Sequence, residues 1–321
     1  MPAIMTHDFF GQDAYGPALG AVDLYTPSER DAFLLGNQGP DPLFYLTIVP
    51  PLHEFEKLGQ TMHHDAPSAL FLSLRRAVDG LPEDTRSVGR AFLAGFVCHY
   101  VLDRTMHPFV YFWERGICAA GVDGLDASDH SIVHAEIERD LDEMVLFSKR
   151  GQTIEEYRPF EQVLEASDST LDVLGEVFGA SKLGPFDVDG EEEPTLSRVY
   201  PLAVRSFRVV QRFFWSPGGR KMGALARVEG HVTRHRYSLV RAMSHRVRAE
   251  ETSDFDNRDR RAWKNPFTHV TRNESFWDLY DSALAQVEGS IAMVFADDFD
   301  DEAAKRFTRG LNFSGELVER V

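Results

Sequence analysis

The stretch Phe92–Pro108, FLAGFVCHYVLDRTMHP, governs the reading of the chain. His99, Asp103 and His107 recur at four-residue spacing. On a helix this puts three polar side chains in one row, neighbours being about 5–6 Å apart. Phe92, Leu93, Phe96, Val97, Tyr100 and Val101 occupy the other faces, so the helix is expected deep inside the protein. Pro108 is expected to end or kink it. Leaving polar groups unpaired in such a place costs ~2–7 kcal/mol each. A hydrogen-bonded His99–Asp103 pair satisfies two of the three groups, and a divalent cation satisfies all of them. The row by itself leaves both open.

The same arrangement recurs downstream. Ser131 is expected to open a helix, SIVHAEIERDLDEMVLF, on which His134, Glu138 and Asp142 share a face backed by Ile132, Val133, Ile137, Leu141 and Val145. Taken alone, His134 and Glu138 also fit a surface pair. Upstream, Gly36–Pro42 (GNQGPDP) is expected to form a rigid loop that holds Asp41 between two prolines. His53–Leu74 is helical in pattern, with Pro67-Ser68 starting a further helix turn, and carries His63 and His64 side by side, about 100° apart, so one of them faces the core. His7 lies in a short apolar segment near the start. Eight of the twelve histidines fall within residues 1–134.

Composition narrows the class. The net charge of −17 argues against a general nucleic-acid binder. From Arg198 to Arg272, however, 17 Lys or Arg stand against 6 Asp or Glu. Solvated helix faces account for this belt, and an anion-facing wall is the sharper alternative. The two cysteines, Cys98 and Cys118, give no disulfide framework, which points to a reducing compartment. Any metal ligands are then His, Asp and Glu, a donor set that suits zinc in catalytic sites. No signal-peptide pattern and no run of ~18 apolar residues is present, so a cytoplasmic location without a transmembrane segment is expected.

Past residue 150 the chemistry thins. Asp187–Glu193 reads as an exposed acidic loop. Thr195–Glu250 is helical in period, with Phe207, Val210, Phe213 and Phe214 as core candidates. His231, His235 and His245 sit among arginines and read as surface. Phe276–Phe299 reads as one amphipathic helix, and the C-terminal tail carries no feature. Strand signal is slight. The fold is expected to be an all-α multi-helix bundle. Residues 1–150 would form the metal-binding helical core, and residues 151–321 a helical C-terminal part packed on the same core as one domain.

Five segments in order, THDFFG (6–11), GNQGPDP (36–42), LGQTMHH (58–64), HYVLDRTMHP (99–108) and HAEIERDLD (134–142), resemble the zinc-dependent phospholipase C family. That family has an all-α fold with a three-zinc cluster in its core, shared with a class of single-strand nucleases. The likeness covers roughly residues 1–145. It implies one zinc site from Asp41, His63, His99 and Asp103, and a second from His107, His134 and Glu138. A third would be held by His7 with Asp103 bridging. His63 is preferred to His64 by the spacing from Leu58-Gly59, and Asp142 would orient a ligand histidine. In secreted enzymes of this type the α-amine of the processed chain completes the third site. Here Met1-Pro2 lead to His7 without a signal-peptide pattern, so the third zinc is expected to be weak, absent or completed by another group.

The implied activity is hydrolysis of a phospholipid or related phosphoester by metal-activated water, with Asp41 as the catalytic carboxylate and two or three zinc ions as cofactors. Tyr45, Phe109, Tyr111, Phe112 and Trp113 would line a headgroup pocket or pack the core, the latter being commoner. A nuclease or phosphatase on the same fold, or a catalytically silent zinc-binding protein, are the alternatives. No stable nucleic-acid partner is expected. The adjacent His64-Asp65 pair also fits an HD-type phosphohydrolase, but that reading leaves His99, His107, His134 and Glu138 without a role.

Overall fold

The computed structural model describes residues 3–22, 24–48, 55–181, 193–233 and 237–320. The described chain is mainly helical. In order it runs α1 (Ile4–Ala18), α2 (Pro27–Gly36), a 3-10 helix (Asp41–Ile48), α3 (Glu56–His64), α4 (Pro67–Asp79), α5 (Glu83–Cys118), α6 (His130–Arg150), α7 (Pro159–Gln162), α8 (Asp168–Ser181), α9 (Glu193–Phe214), α10 (Arg220–Thr233), α11 (Leu239–Ala242), α12 (Phe276–Leu284), α13 (Val287–Val294) and α14 (Asp301–Thr308). The strands β1 (Trp263–Lys264) and β2 (Thr271–Arg272) pair antiparallel, Trp263 opposite Arg272.

α5 is the axis. Its 36 residues span about 54 Å. Glu83 and Asp84 in the first turn favour the positive end of the helix dipole. Every side chain from Ala91 to Asp103 is buried. The expected break at Pro108 does not occur, since the helix runs on to Cys118. Pro108 removes one backbone donor, but buried turns on both sides, from Met106 to Val110, hold the helix together by packing. The chain at Gly315 (φ +74) lies against the Pro108 ring and the Arg104 carbonyl, where a Cβ would come within 2.8 and 2.6 Å.

α2 crosses α5 at near backbone contact. It starts with a Thr26/Glu29 capping box. A Cβ on Gly36 would lie 2.2 Å from the Phe92 carbonyl, and one on Gly95 would lie 2.0 Å from the Phe33 carbonyl. This approach sets residues 37–41 directly on His99.

Other expectations need correction. Asp41 opens a 3-10 helix rather than sitting mid-loop. The Phe276–Phe299 stretch is two helices, α12 and α13, separated at Ala285-Gln286. The new helix start expected at Pro67 does occur, Ala66 in the left-handed region (φ 45) separating α3 from α4. Phe213 is 48% exposed, whereas Phe207 is core. His53, His235 and residues 187–192 of the acidic run lie outside the described residues. Apolar side chains from both sides of residue 150, from Ile4 to Phe313, share one core. Among the described residues no helix is long and apolar enough to cross a membrane.

Candidate metal centre

Four elements converge on the polar row of α5. α1 brings His7, the 3-10 helix Asp41, α3 His63, and α6 His134 and Glu138. Ligand-capable atoms of His7, Asp41 and His99 lie within 4.8 Å of one another, as do those of His63, His99 and Asp103, and those of His107, His134 and Glu138. All eight residues named from the sequence as ligands thus lie in these three groups. His7 falls with Asp41 and His99 as well as 3.2 Å (Nε2) from Asp103 Oδ1. His63 Nε2 is 3.2 Å from Asp41 Oδ1, and His99 Nε2 is 3.2 Å from Asp103 Oδ2. His64 is in none of the groups, and Asp65 is exposed at the end of α3, so the HD-type arrangement does not form among the described residues.

The histidine rings are oriented from behind. His63 Nδ1 bonds the Gly59 carbonyl one helical turn back, at 2.7 Å. His99 Nδ1 bonds the Asn37 carbonyl at 3.0 Å, and His107 Nδ1 the Phe313 carbonyl at 2.9 Å. His134 Nδ1 bonds Glu114 at 2.7 Å. Donation through Nδ1 turns each Nε2 toward the carboxylates: those of His63 and His99 have no hydrogen-bond partner, His134 Nε2 meets Glu138 Oε1 at 3.0 Å, and His107 Nε2 lies 3.5 Å from the same oxygen. The His7 ring stacks on His99, with centroids 4.2 Å apart.

Buried atoms without hydrogen-bond partners concentrate here: His7 Nδ1, Asp41 Oδ1, His63 Nε2, His99 Nε2, Asp103 Oδ2 and Glu138 Oε2. Each orphaned group costs ~1–3 kcal/mol, so a cluster of them needs a partner. A cation fits. The set is nitrogen and oxygen only, rich in imidazole, as zinc prefers over calcium or magnesium. A cavity of about 30 Å³ against His7, Asp103, His107 and Glu138 has the volume of one water or ion. Seven of the eight side chains are buried, and His134, with 13% of its side chain exposed, is the outermost.

The electrostatics agree. Burial lowers the affinity of His107 for a proton, but Asp103 and Glu138 overcome it and hold its pKa up at about 9. Burial opposes the His134 proton too, yet Glu138 and Glu114 raise its pKa to about 10. Burial also opposes the His7 proton, and Asp103 outweighs it, for a net rise. Burial alone would raise the three carboxylates. The facing imidazoles instead hold Asp103 and Glu138 well below, and Asp41 below, the usual carboxylate range. The cluster behaves as a field that attracts positive charge.

Several contributors escaped the sequence reading. Glu114 is buried and bonds both His130 Nδ1 (2.6 Å) and His134 Nδ1 (2.7 Å). It lies seven residues beyond His107 on the same stripe of α5, and was hidden by ending that helix at Pro108. The featureless tail supplies the Phe313 carbonyl to His107, while the Phe313 N–H donates to the His63 carbonyl at 3.1 Å. Tyr200 on α9 donates to the Gly39 carbonyl at 3.0 Å, holding the 37–41 turn. Asp142 contacts no ligand ring. It accepts from the Met5 and Thr6 backbone N–H groups at 3.0 and 2.7 Å, fixing the start of α1 that carries His7. Its other neighbour is His245 Nε2 at 3.0 Å, so His245 is buried structure rather than surface. Of the aromatic cluster, Tyr45 stacks on Phe207 and Phe109 packs on Trp263, both in the core. Tyr111 alone borders the centre, 5.2 Å from the His134 ring. Comparison of the chain with protein-family models, curated proteins and solved structures returns no match.

Proposed function

We propose that the protein is a zinc-dependent hydrolase of phosphodiesters, of phospholipase C type. One observation carries this reading: four imidazoles are tied through Nδ1 and turn Nε2 inward onto three carboxylates that each keep an orphaned oxygen, the Nε2 atoms of His63 and His99 being orphaned as well. His63, His99, Asp41 and Asp103 would hold one ion, and His107, His134 and Glu138 a second, with His7 and Asp103 at a third position. Bound zinc supplies Lewis acidity, polarising phosphoryl oxygens and lowering the pKa of water. The chain does the rest. Asp41 is held below the usual carboxylate range by burial-opposing contacts with His63, His99 and His7, so it is a weak base that orients a water rather than takes its proton. Glu114 and the Phe313 carbonyl fix the rings of His134 and His107. His134 and Tyr111 border the outer edge of the centre, where a phosphoester headgroup would approach. Cys98 and Cys118 are free thiols, and a cytoplasmic setting is part of this proposal.

Burial of the centre favours a second reading, a structural zinc cluster without turnover. Elemental mass spectrometry of the purified chain, with turnover assays on a phosphatidylcholine-like ester, a phosphomonoester and single-stranded DNA, separates the two. Two or three zinc per chain with diester cleavage is expected. Asp41→Asn should keep the fold and much of the zinc and lose most activity. Zinc without turnover on any substrate leaves the structural reading, and absence of metal from a chain that stays folded refutes both.

A further inference from the structure

α6 presents a second face to a separate cavity. His134 and Glu138 look toward the metal centre, while Ile132, Val133 and Ile137 on the opposite side line a separate cavity of about 570 Å³. Ile117 from the end of α5 and Phe255 complete its apolar wall. The volume lies in the ~300–1,000 Å³ range of small-molecule sites, and the mostly apolar lining is typical of them.

The rim is cationic in a chain of net charge −17. Arg227 on α10 and Arg241 on α11 are both exposed and both line the cavity. Neither guanidinium has an ion-pair partner among the described residues. The acidic groups beside them are engaged elsewhere. Glu136 is bonded to Arg139, and Glu229 accepts from the Ser238 hydroxyl and from the Leu239 N–H at 3.0 Å. By contrast Arg246 and Arg248, on the same basic belt, are committed to Asp140.

We propose that this cavity binds a single-chain amphiphile with an anionic head, its tail along Ile132, Val133 and Ile137 and its head at Arg227 and Arg241. The site is distinct from the metal centre and does not depend on its chemistry. The test is isothermal titration calorimetry of the full chain with dodecanoate below its micelle concentration, with and without chelator. Saturable one-to-one binding is expected, unchanged by chelation. The double variant Arg227→Gln/Arg241→Gln, altered only at exposed positions, should bind dodecanoate about tenfold or more weakly, since a charge-assisted contact is lost. It should bind dodecanol as the parent does. Ile132→Trp, which fills the tail space, should weaken both. Absence of saturable binding, full retention in the double variant, or loss of binding on chelation would each overturn the proposal.

Discussion

Removing Glu114 tests whether the centre is a metal site organised from behind its ligands. Glu114 is 5% exposed and its two oxygens each bond an imidazole Nδ1, at 2.6 and 2.7 Å. It touches none of the atoms that would meet a cation. Glu114→Ala leaves His134 Nδ1 without an acceptor. The ring can then turn or take the other tautomer, with its proton on Nε2, which blocks coordination. Loss of such a partner costs 10–100-fold in metal affinity, or about 1.4–2.7 kcal/mol. The loss should be confined to the ion held by His107, His134 and Glu138. The Asp41, His63, His99 and Asp103 group is anchored through Gly59 and Asn37 and should keep its ion. Glu114→Gln should fall between, because its amide oxygen still accepts from His134 while half-buried His130 swings away. The assay is zinc stoichiometry after dialysis against graded chelator, read by elemental mass spectrometry. Full zinc at parental affinity in Glu114→Ala would show that the His134 ring needs no support, and the geometric argument would fail.

Three further outcomes follow from the same structure. Zinc binding should release about two protons per chain at pH 7–8, because His107 and His134, with pKa near 9 and 10, are protonated without the ion and deprotonated with it; calorimetry in buffers of different ionisation enthalpy reads this directly, and affinity should rise with pH until those values are passed. Asp8, buried beside Gln12 and Tyr157, has its pKa raised from 3.8 to about 6, chiefly by burial. The folded state therefore holds this proton more tightly than the unfolded one, and stability falls as pH climbs from about 4 to about 6. Asp8→Asn should be stabilising above pH 6 by at most ~3 kcal/mol and near neutral below pH 4, measured by urea unfolding in chelator; equal curves at both pH values would contradict the assignment. Gly39→Ala puts a Cβ 2.3 Å from the His99 ring at a φ of +51, so it should cost ~1–2 kcal/mol in backbone strain and deplete zinc at the His99 group; normal stability and zinc content would refute the close approach.

Much of this was legible in the sequence for a physical reason. Rows at four-residue spacing on apolar helices fix which side chains share a face, so His99, Asp103, His107, His134 and Glu138 could be placed before any tertiary contact was known. What was not legible depends on packing. Pro108 carries a strong local signal to stop, yet the buried turns around it override that signal, and Glu114 was lost with the truncated helix. Backbone acceptors leave no mark in composition, so the Asn37 and Phe313 carbonyls were invisible. His245 looked solvated because its sequence neighbours Arg246 and Arg248 are basic. Those arginines turn to Asp140 while the imidazole turns in to Asp142. Phe213 failed the other way, apolar in type but on the outward face of α9.

The buried charges also bear on why such a centre exists. Three carboxylates, Asp41, Asp103 and Glu138, face three imidazoles whose pKa values are raised, those of His7, His107 and His134. Without a cation, protons on His107 and His134 offset part of the carboxylate charge, and the helices around them supply the apolar packing. Chelation should therefore not unfold the chain, in contrast to small domains whose only core is a metal. Ion pairs of this kind add little stability, since apolar residues of similar volume serve as well or better. A fold that needed only a filled interior would have gained nothing from five imidazoles and three carboxylates, six of which leave an atom unbonded. Under the zinc proposal, what they offer that leucine does not is the exchange of bound protons for a divalent ion. The Nδ1 anchors at Gly59, Asn37, Phe313 and Glu114 would serve that exchange by keeping each Nε2 turned to the centre.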